Sequence, residues 1–517
     1  MAETGARKWI ITVTVILSSV IELIDTTIVN VSLPQMMGNL GATLDEIAWV
    51  VTAYVFANVI VVPMASWLAA LFGRRNYFAG SIVLFTVASF FCGHATTIWQ
   101  LVFFRFLQGV GGGALMATSQ SILVETFAPE ELGFATGLFG LGVVVGPTIG
   151  PTLGGWITDN YSWPWIFYVN IPVGIVATLL TLTFIHDPKE KRHIGAVDWW
   201  GILLLIVGVG SLQIVLDRGE RDDWFSATHI TVLTVVACVG IVAFVWRELT
   251  AEHPVVDLRV LKNRSLAVGT LFSFIYGFGM YASVFIFPVF VQNLLGFTAL
   301  QTGLILLPSS VTAALMMPFV GRLIRRGAPP QLMILLGFTA FFTFTWQLSN
   351  STLASSQADF FWPLILRGGG LSLLFVPFTT LALSTLRGKD IHQGTGLTGM
   401  MRQLGGSFGV ALVATFVQHR SWAHRHDLLR YVTPFDFALQ QRVNTMVQGL
   451  VSRGATFADA QRQTYGALEG LVTRQAYLLT YMDAFRTIGV FFLCCIPLLL
   501  LFRTPRVPTA PVVVQFE

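Results

Sequence analysis

The sequence predicts an all-α polytopic membrane protein with 14 transmembrane helices. Of its 517 residues, 54% are apolar and only 11% are charged, whereas soluble domains carry about 25% charged residues. The mean hydropathy is +0.70. The net charge of +4 is too small to indicate a nucleic-acid partner, and no basic stripe accompanies it.

Apolar stretches of about 20 residues mark the predicted spans. They cover residues 9–33, 46–71, 76–93, 97–124, 131–157, 163–185, 197–216, 228–248, 265–292, 298–322, 330–348, 360–386, 393–417 and 483–502. An even number of spans puts both termini on one side of the membrane.

Basic residues decide which side that is, because cytoplasmic loops are enriched in Lys and Arg. One set of short segments holds Arg7, Lys8, Arg74, Arg75, Lys189, Lys191, Arg192, Arg247, Arg259, Lys262, Arg264, Arg322, Arg325, Arg326, Arg387, Lys389, Arg503 and Arg506. The short loops on the other side hold only Arg218 and Arg221. We therefore expect both termini to be cytoplasmic.

The chain repeats itself half a protein apart. The segment Pro63–Arg75 resembles Pro318–Gly327, and Arg105 and Arg367 each lie in the fourth span of their half. Such repeats are the usual construction of secondary transporters. The predicted divisions are an N-terminal six-helix bundle (1–185), two extra helices with linkers (186–264), helices 9–13 of the C-terminal bundle (265–418), an outer helical insertion (419–482), and the last helix with a cytoplasmic tail (483–517).

Ionisable residues within the spans indicate a proton pathway, because charge in lipid is costly. At about 1.5 Å per residue, Asp25 lies roughly 12 Å and Arg105 roughly 9 Å inside the outer membrane surface. The pair therefore shares one level, and protonation of Asp25 would break it. Glu22, one turn away, is a second candidate for the proton site or an attractor of cationic substrates. The alternative is a static ion pair that holds two helices together.

Other polar residues of the spans are candidates for a substrate cavity. Arg367 either anchors a substrate or completes the symmetric packing, and Arg402 is expected to reach the cytoplasmic interface. The remaining candidates, which ordinary helix packing would also explain, are Asn30, Tyr54, Asn58, Gln108, Gln120 and Tyr276. The four cysteines have no metal-ligand spacing, so neither a metal nor a cofactor is predicted.

A glycine ridge marks the fifth span. Glycine recurs at Gly142, Gly146, Gly150 and Gly154, followed by Gly155, with Pro147 and Pro151 between them. A face without side chains lets another helix approach closely, and the prolines weaken the helix. We expect this ridge to face the second half of the protein and to act as a hinge.

Together these residues resemble the major facilitator superfamily, and within it the fourteen-helix drug:proton antiporters of EmrB type. The ridge is similar to that family's antiporter motif, Leu23–Pro34 to its span 1 motif, and Arg105 with Gln108 and Gly109 to its span 4 motif. The loop after span 2 departs from the superfamily pattern, because Ser66 and Ala70 stand where glycine and aspartate are usual.

The resemblance implies a major facilitator fold with two pseudo-symmetric six-helix bundles and two extra helices, and export driven by the proton gradient. It also implies a bacterial inner-membrane location, and a periplasmic adaptor with an outer-membrane channel as partners for the insertion at 419–482.

The sequence therefore predicts a proton-coupled exporter of hydrophobic or amphipathic compounds, working by alternating access. The alternatives are a proton symporter that imports a nutrient and a membrane channel or scaffold. No arrangement of catalytic residues indicates an enzyme.

Overall fold

The computed structural model describes residues 5–128, 131–187, 197–386, 389–433 and 435–501. Within these ranges, 14 helices are long and apolar enough to cross a membrane, which confirms the predicted fold class. The helices are α1 (Gly5–Leu40), α2 (Leu44–Phe72), α3 (Arg74–Gly93), α4 (Ile98–Thr126), α5 (Leu132–Asn160), α6 and α7 forming one span (Trp165–Tyr168 and Asn170–Phe184), α8 (Trp199–Arg218), α9 (Thr228–Thr250), α10 (Arg264–Asn293), α11 (Ala299–Arg325), α12 (Pro330–Leu348), α13 (Phe361–Ser384), α14 (Lys389–Leu429), α15 (Phe437–Val451), which is not a span, and α16 (Phe457–Cys495).

Local sequence signals set several helix starts. Thr43 and Glu46 form a capping box at the start of α2, and Thr298 and Gln301 form another at α11. Each box satisfies backbone amides that the first helical turn leaves without partners. The local sequence therefore determines where α2 and α11 begin.

The extra helices α8 and α9 pack against each other and against the first half. A Cβ atom at Gly208 would lie 2.7 Å from the backbone of Gly240, so the two helices touch at paired glycines. A Cβ atom at Gly210 would lie 2.6 Å from the ring of Phe56 in α2. The pair therefore packs on α2 of the first half. It also contacts α14 of the second half, where Ser407 Oγ donates to Gln213 Oε1 of α8 at 2.8 Å.

The two halves meet along α5, which packs on α11 and α13, and along α14, which packs on α2 and α4. One pair from each interface shows how close the packing is. In the first pair, α5 packs on α11, where a Cβ atom at Gly137 would lie 2.4 Å from the Met317 carbonyl oxygen. In the second pair, α2 packs on α14, where Ser66 Oγ donates to the His392 carbonyl oxygen at 2.5 Å. The α2–α14 contact lies on the side of the bundle that carries the described chain ends.

The glycine ridge of α5 does not face the second half, so that expectation is wrong. A Cβ atom at Gly146 would lie 2.7 Å from Leu23 Cβ, and one at Gly154 would lie 2.7 Å from the Ile28 carbonyl oxygen, both in α1. The second half contacts a different face of α5, which carries Gly137. Glycine spacing showed that one face was bare but not which helix would cover it.

The outer insertion is built from two extended membrane helices and one short helix. Helix α14 runs without a break to Leu429, and α16 begins at Phe457 and continues through its membrane span. The predicted boundaries at 418/419 and 482/483 both fall inside these helices. Pairing of Arg425 with Glu469 at 2.7 Å and of Arg420 with Asp483 at 2.8 Å ties α14 to α16.

Candidate proton and substrate site

Asp25 and Arg105 form a fully buried ion pair within the first half. Arg105 Nη1 lies 2.5 Å from Asp25 Oδ2, and the two side chains are 1% and 0% exposed. The predicted pairing of α1 with α4 is therefore present. Because the pair is sealed from solvent, its attraction is screened far less than that of a surface pair.

Amide side chains complete the surroundings of Asp25. Its Oδ1 accepts from Gln108 Nε2 at 2.9 Å and from Asn170 Nδ2 at 3.0 Å. Gln108 Oε1 accepts from Arg105 Nη1 at 2.7 Å, and Gln108 Nε2 also donates to Ser89 Oγ at 2.7 Å. The Asp25 carboxylate thus has three donors, drawn from α4 and α7.

Arg105 is held on its other side by backbone and aromatic contacts. Its Nε donates to the Val50 carbonyl oxygen at 3.1 Å, and its guanidinium carbon lies 4.2 Å from the centre of the Tyr54 ring. Cation–π contact of this kind stabilises a cation away from water. Arg105 therefore has a defined position that does not depend on Asp25 alone.

Glu22 is buried with fewer hydrogen-bond donors around its carboxylate than Asp25 has. Asn58 Nδ2 donates to Glu22 Oε1 at 3.0 Å, and Glu22 Oε2 is buried without a hydrogen-bond partner among the described residues. Its side chain is 3% exposed, and Arg402 acts on it electrostatically across the interface between the halves. An unpartnered carboxylate oxygen in the interior favours a bound proton.

The remaining candidates divide into buried and exposed residues. Arg367, Tyr276 and Gln120 are at most 2% exposed, as is Asn58, whereas Asn30 is exposed. The structure thus brings Glu22, Asp25, Tyr54, Asn58, Arg105 and Gln108 together around α1, and it does not include Asn30 in that cluster.

Arg402 does not reach the cytoplasmic interface, and that expectation is wrong. Its side chain is 3% exposed, and Nη2 lies 3.2 Å from Met116 Sδ in α4. Its guanidinium carbon lies 5.6 Å from the centre of the Phe375 ring. Arg402 is therefore an interior cation at the boundary between the halves.

A polar cluster joins the two halves on the side of the bundle where the described chain begins and ends. His392, at the start of α14, places Nε2 2.7 Å from Glu125 Oε1 of α4, and its Nδ1 contacts Ser121 Oγ. Arg74 of α3 also pairs with Glu125. We call His392, Ser121, Glu125 and Ser66 the terminus-side latch.

Sequence reasoning missed several of these residues. Ser89 and Asn170 are isolated polar residues in apolar runs, and that isolation was the available signal. His392 lies just before a predicted span and gave no signal by itself, because its partner Glu125 comes from another helix 267 positions earlier in the chain.

A bundle of membrane-spanning helices with carboxylates and guanidiniums enclosed between them is the architecture of a membrane transporter. Residues 15–410 match the Major Facilitator Superfamily profile. The multidrug export protein EmrB of Escherichia coli K12 is 32% identical over 501 residues, covering 97% of this chain and 96% of that protein. The chain belongs to the Major Facilitator Superfamily and, within it, to the EmrB-type multidrug exporters.

Two further proteins are similar. The fatty acid resistance protein FarB of Neisseria gonorrhoeae is 32% identical over 502 residues, which is 97% of each chain. The crystal structure of the human organic anion transporter MFSD10 (TETRAN) has a TM-score of 0.61 at 13% identity, covering 96% of this chain and 100% of that one. The second likeness concerns the fold alone. The chain is thus a multi-pass transporter of small molecules that acts in multidrug efflux.

Proposed function

We propose that this protein is a proton-coupled antiporter that exports hydrophobic or amphipathic compounds by alternating access. The observation that carries the proposal is the sealed Asp25–Arg105 pair, 2.5 Å between Oδ2 and Nη1. A carboxylate that loses its charge on protonation releases its cation partner, so a single proton changes how strongly α1 is held to α4. The glycine ridge of α5 lies on α1 next to this pair and would move with it.

Glu22 is the second proton-binding candidate. Protonation of Asp25 has to break an ion pair and leaves Arg105 buried without its counter-ion, which is expensive. Protonation of Glu22 breaks no ion pair. The two carboxylates therefore support a division of roles in which Glu22 takes up a proton readily and Asp25 couples protonation to helix movement.

The two interfaces between the halves support alternating access. The terminus-side latch consists of polar side-chain contacts, among them His392 Nε2 with Glu125 Oε1 at 2.7 Å, and water can replace such contacts when the halves separate. Breaking it would let α14 move away from α2 and α4 and open that side. The long α5–α11 contact has close backbone packing and would serve as the pivot.

Substrate-dependent proton flux tests the proposal. Inside-out membrane vesicles with a preformed pH gradient receive an amphipathic compound, and collapse of the gradient is followed by fluorescence quenching. We expect Asp25→Asn to abolish collapse, because asparagine cannot bind or release the proton, while Asp45→Asn, at a residue whose side chain is 75% exposed, keeps it. Undiminished flux through Asp25→Asn would refute the assignment, and loss in Glu22→Gln alone would transfer the role to Glu22.

We also propose an inner-membrane location with cytoplasmic termini, a periplasmic adaptor and, through it, an outer-membrane channel. Exposed aromatic residues at the tip of the outer insertion support a protein partner, with Phe435 94% and Phe437 79% exposed. A groove of about 610 Å³ in the same insertion is lined by apolar residues and by amide and carboxylate side chains of α15 and α16. Phe435→Ser with Phe437→Ser should reduce adaptor capture in a pull-down while transport in vesicles continues. Unchanged capture would place the adaptor elsewhere.

A further inference from the structure

Two guanidinium groups of the second half are buried without a carboxylate partner. Arg367 is 1% and Arg402 is 3% exposed. Among the described residues, Arg367 donates to two hydroxyls, from Nε to Ser283 Oγ at 3.0 Å and from Nη1 to Ser309 Oγ at 3.1 Å. No carboxylate of the described chain forms a salt bridge with either arginine. Burying a cation without a counter-ion is costly, so the position calls for an anion from outside the chain.

Tyr276 adds a third donor near the two arginines. Its hydroxyl is buried without a hydrogen-bond partner among the described residues, and both Arg367 and Arg402 act on it electrostatically. Its ring lies 5.3 Å from that of Phe375, the same ring over which Arg402 sits at 5.6 Å. The Arg402 guanidinium and the Tyr276 ring therefore both lie against Phe375, with Arg367 close enough to act on the Tyr276 hydroxyl. All three groups are hydrogen-bond donors, and guanidiniums in particular bind carboxylates.

The place of Arg402 makes this cluster reachable during transport. Its Nη2 contact at 3.2 Å with Met116 Sδ is a bond across the two halves, and a thioether is a weak acceptor. Separation of the halves breaks that contact at little cost and exposes the guanidinium to the space that opens. Glu22 acts on Arg402 from the other half but lies outside salt-bridge distance, so it does not occupy the position of the anion.

We propose that Arg402, Arg367 and Tyr276 form a binding site for the anionic head group of exported compounds, with Arg402 as the residue that selects for negative charge. The ligand class is an aromatic or aliphatic monoanion, such as a carboxylate, whose apolar body packs on Phe375 and Phe378. This inference rests on the proposed function only in that exported compounds pass between the halves.

Three probes with one naphthyl body and different charge test the site: 2-naphthoate, 2-naphthamide and 2-naphthylmethyl-trimethylammonium. Their affinities for the purified full-length protein in detergent are measured by isothermal titration calorimetry. We expect the wild type to prefer the anion. Removal of one charge-assisted contact corresponds to a loss of about 10-fold to 150-fold, so Arg402→Gln should lose that much affinity for 2-naphthoate and stay within about twofold for 2-naphthamide.

Two further variants keep the test decisive if Arg402→Gln unfolds. Arg402→Lys retains the charge and should retain most anion preference, and Arg367→Gln should lose it in part. Arg442→Gln, an arginine change at an exposed residue of α15, should bind all three probes as the wild type does. Thermal unfolding of each variant separates loss of fold from loss of binding.

Equal losses for all three probes, no loss for the anion, or no binding by the wild type would each overturn the site. Failure of this inference differs from failure of the proposed function. Charge-independent binding with intact proton flux refutes the anion site alone, whereas anion preference without substrate-dependent proton flux refutes the antiport mechanism alone.

Discussion

Asp25 and Glu22 lie one helical turn apart on α1, yet their surroundings differ in kind. Asp25 receives hydrogen bonds from Arg105, Gln108 and Asn170, while Glu22 receives one, from Asn58. The difference arises because the neighbours come from different helices. A step of three residues along α1 therefore separates a carboxylate with several hydrogen-bond donors from one with a single donor.

Position along the helix predicts the Asp25–Arg105 pair but not the buried place of Arg402. Helix α14 begins at Lys389, four residues before the predicted span 13, so Arg402 lies about 20 Å from the helix start. Its side chain is 3% exposed and packs between the halves. Direction around the helix axis cannot be obtained from depth at all.

Asp198 provides a pH-dependent test outside the spans. It caps α8 through the Gly201 amide at 3.1 Å and pairs with Arg247 Nε at 2.9 Å. Partial burial by itself would raise the pKa of Asp198, but the hydrogen bonds from Arg247 and Gly201 outweigh it and hold the pKa below its ordinary value of 3.8. Since the folded pKa is depressed, the stabilisation is complete above pH 3.8 and is lost as the pH falls through the folded value.

We expect Asp198→Asn to lower the unfolding temperature at pH 7, corresponding to about 1 kcal/mol for a weakened cap and ion pair. The difference from the wild type should shrink as the pH falls below 3.8. Thermal unfolding in detergent between pH 3 and pH 7 measures it. A difference that stays constant over this range would show that the charge of Asp198 does not contribute.

Helix α5 carries glycines on two faces, and each face packs against a different helix. Gly142, Gly146, Gly150 and Gly154 approach α1, while Gly133 and Gly137 approach α11. The second set also has a four-residue spacing, so the sequence contained a signal for both contacts. Helix spacing identifies close-packing faces but leaves their partners undetermined, because that choice depends on tertiary topology.

Gly146→Leu should block efflux, because even its Cβ atom would lie 2.7 Å from Leu23 Cβ, two residues from Asp25. We expect at least a tenfold loss of transport in vesicles at a normal level of inserted protein. Gly150→Leu should behave alike. Gly80→Leu is the matched control, since no atom lies within 4 Å of a Cβ at that α3 glycine. Normal transport by Gly146→Leu would reduce the ridge to passive packing.

Arg105 and Arg367 are buried arginines at the same place in the repeat, one in each half, but their partners differ. Arg105 contacts Asp25 in α1, the first helix of the first half. Arg367 contacts Ser283 in α10, the first helix of the second half. The repeat and the absence of an acid from residues 265–292 were visible in sequence. The choice of Ser283 as the partner of Arg367 was not, because α10 offers several hydroxyl side chains. The first half therefore holds the buried carboxylates Glu22 and Asp25. The second half holds the buried arginines Arg367 and Arg402, which form no salt bridge among the described residues.

A disulfide across the terminus-side contact should stop the transport cycle. A Cβ atom at Gly396 would lie 3.5 Å from Ser66 Oγ, which suits a Ser66→Cys, Gly396→Cys pair. Cys92, Cys238, Cys494 and Cys495 are free and are replaced first. We expect oxidation to abolish transport and a reducing agent to restore it. Each single-cysteine variant should be insensitive to oxidation, and unimpaired transport by the oxidised double variant would mean that this side need not open.

The unbroken course of α14 has a mechanical consequence. Its 41 residues extend about 60 Å, and Leu429 at its outer end lies about 40 Å from Arg402. A rotation of about 10° at the level of Arg402 would therefore displace the outer tip by about 7 Å. The helix would act as a lever arm. A protein bound at its tip would be displaced whenever α14 rotates, and tight binding there would oppose that rotation.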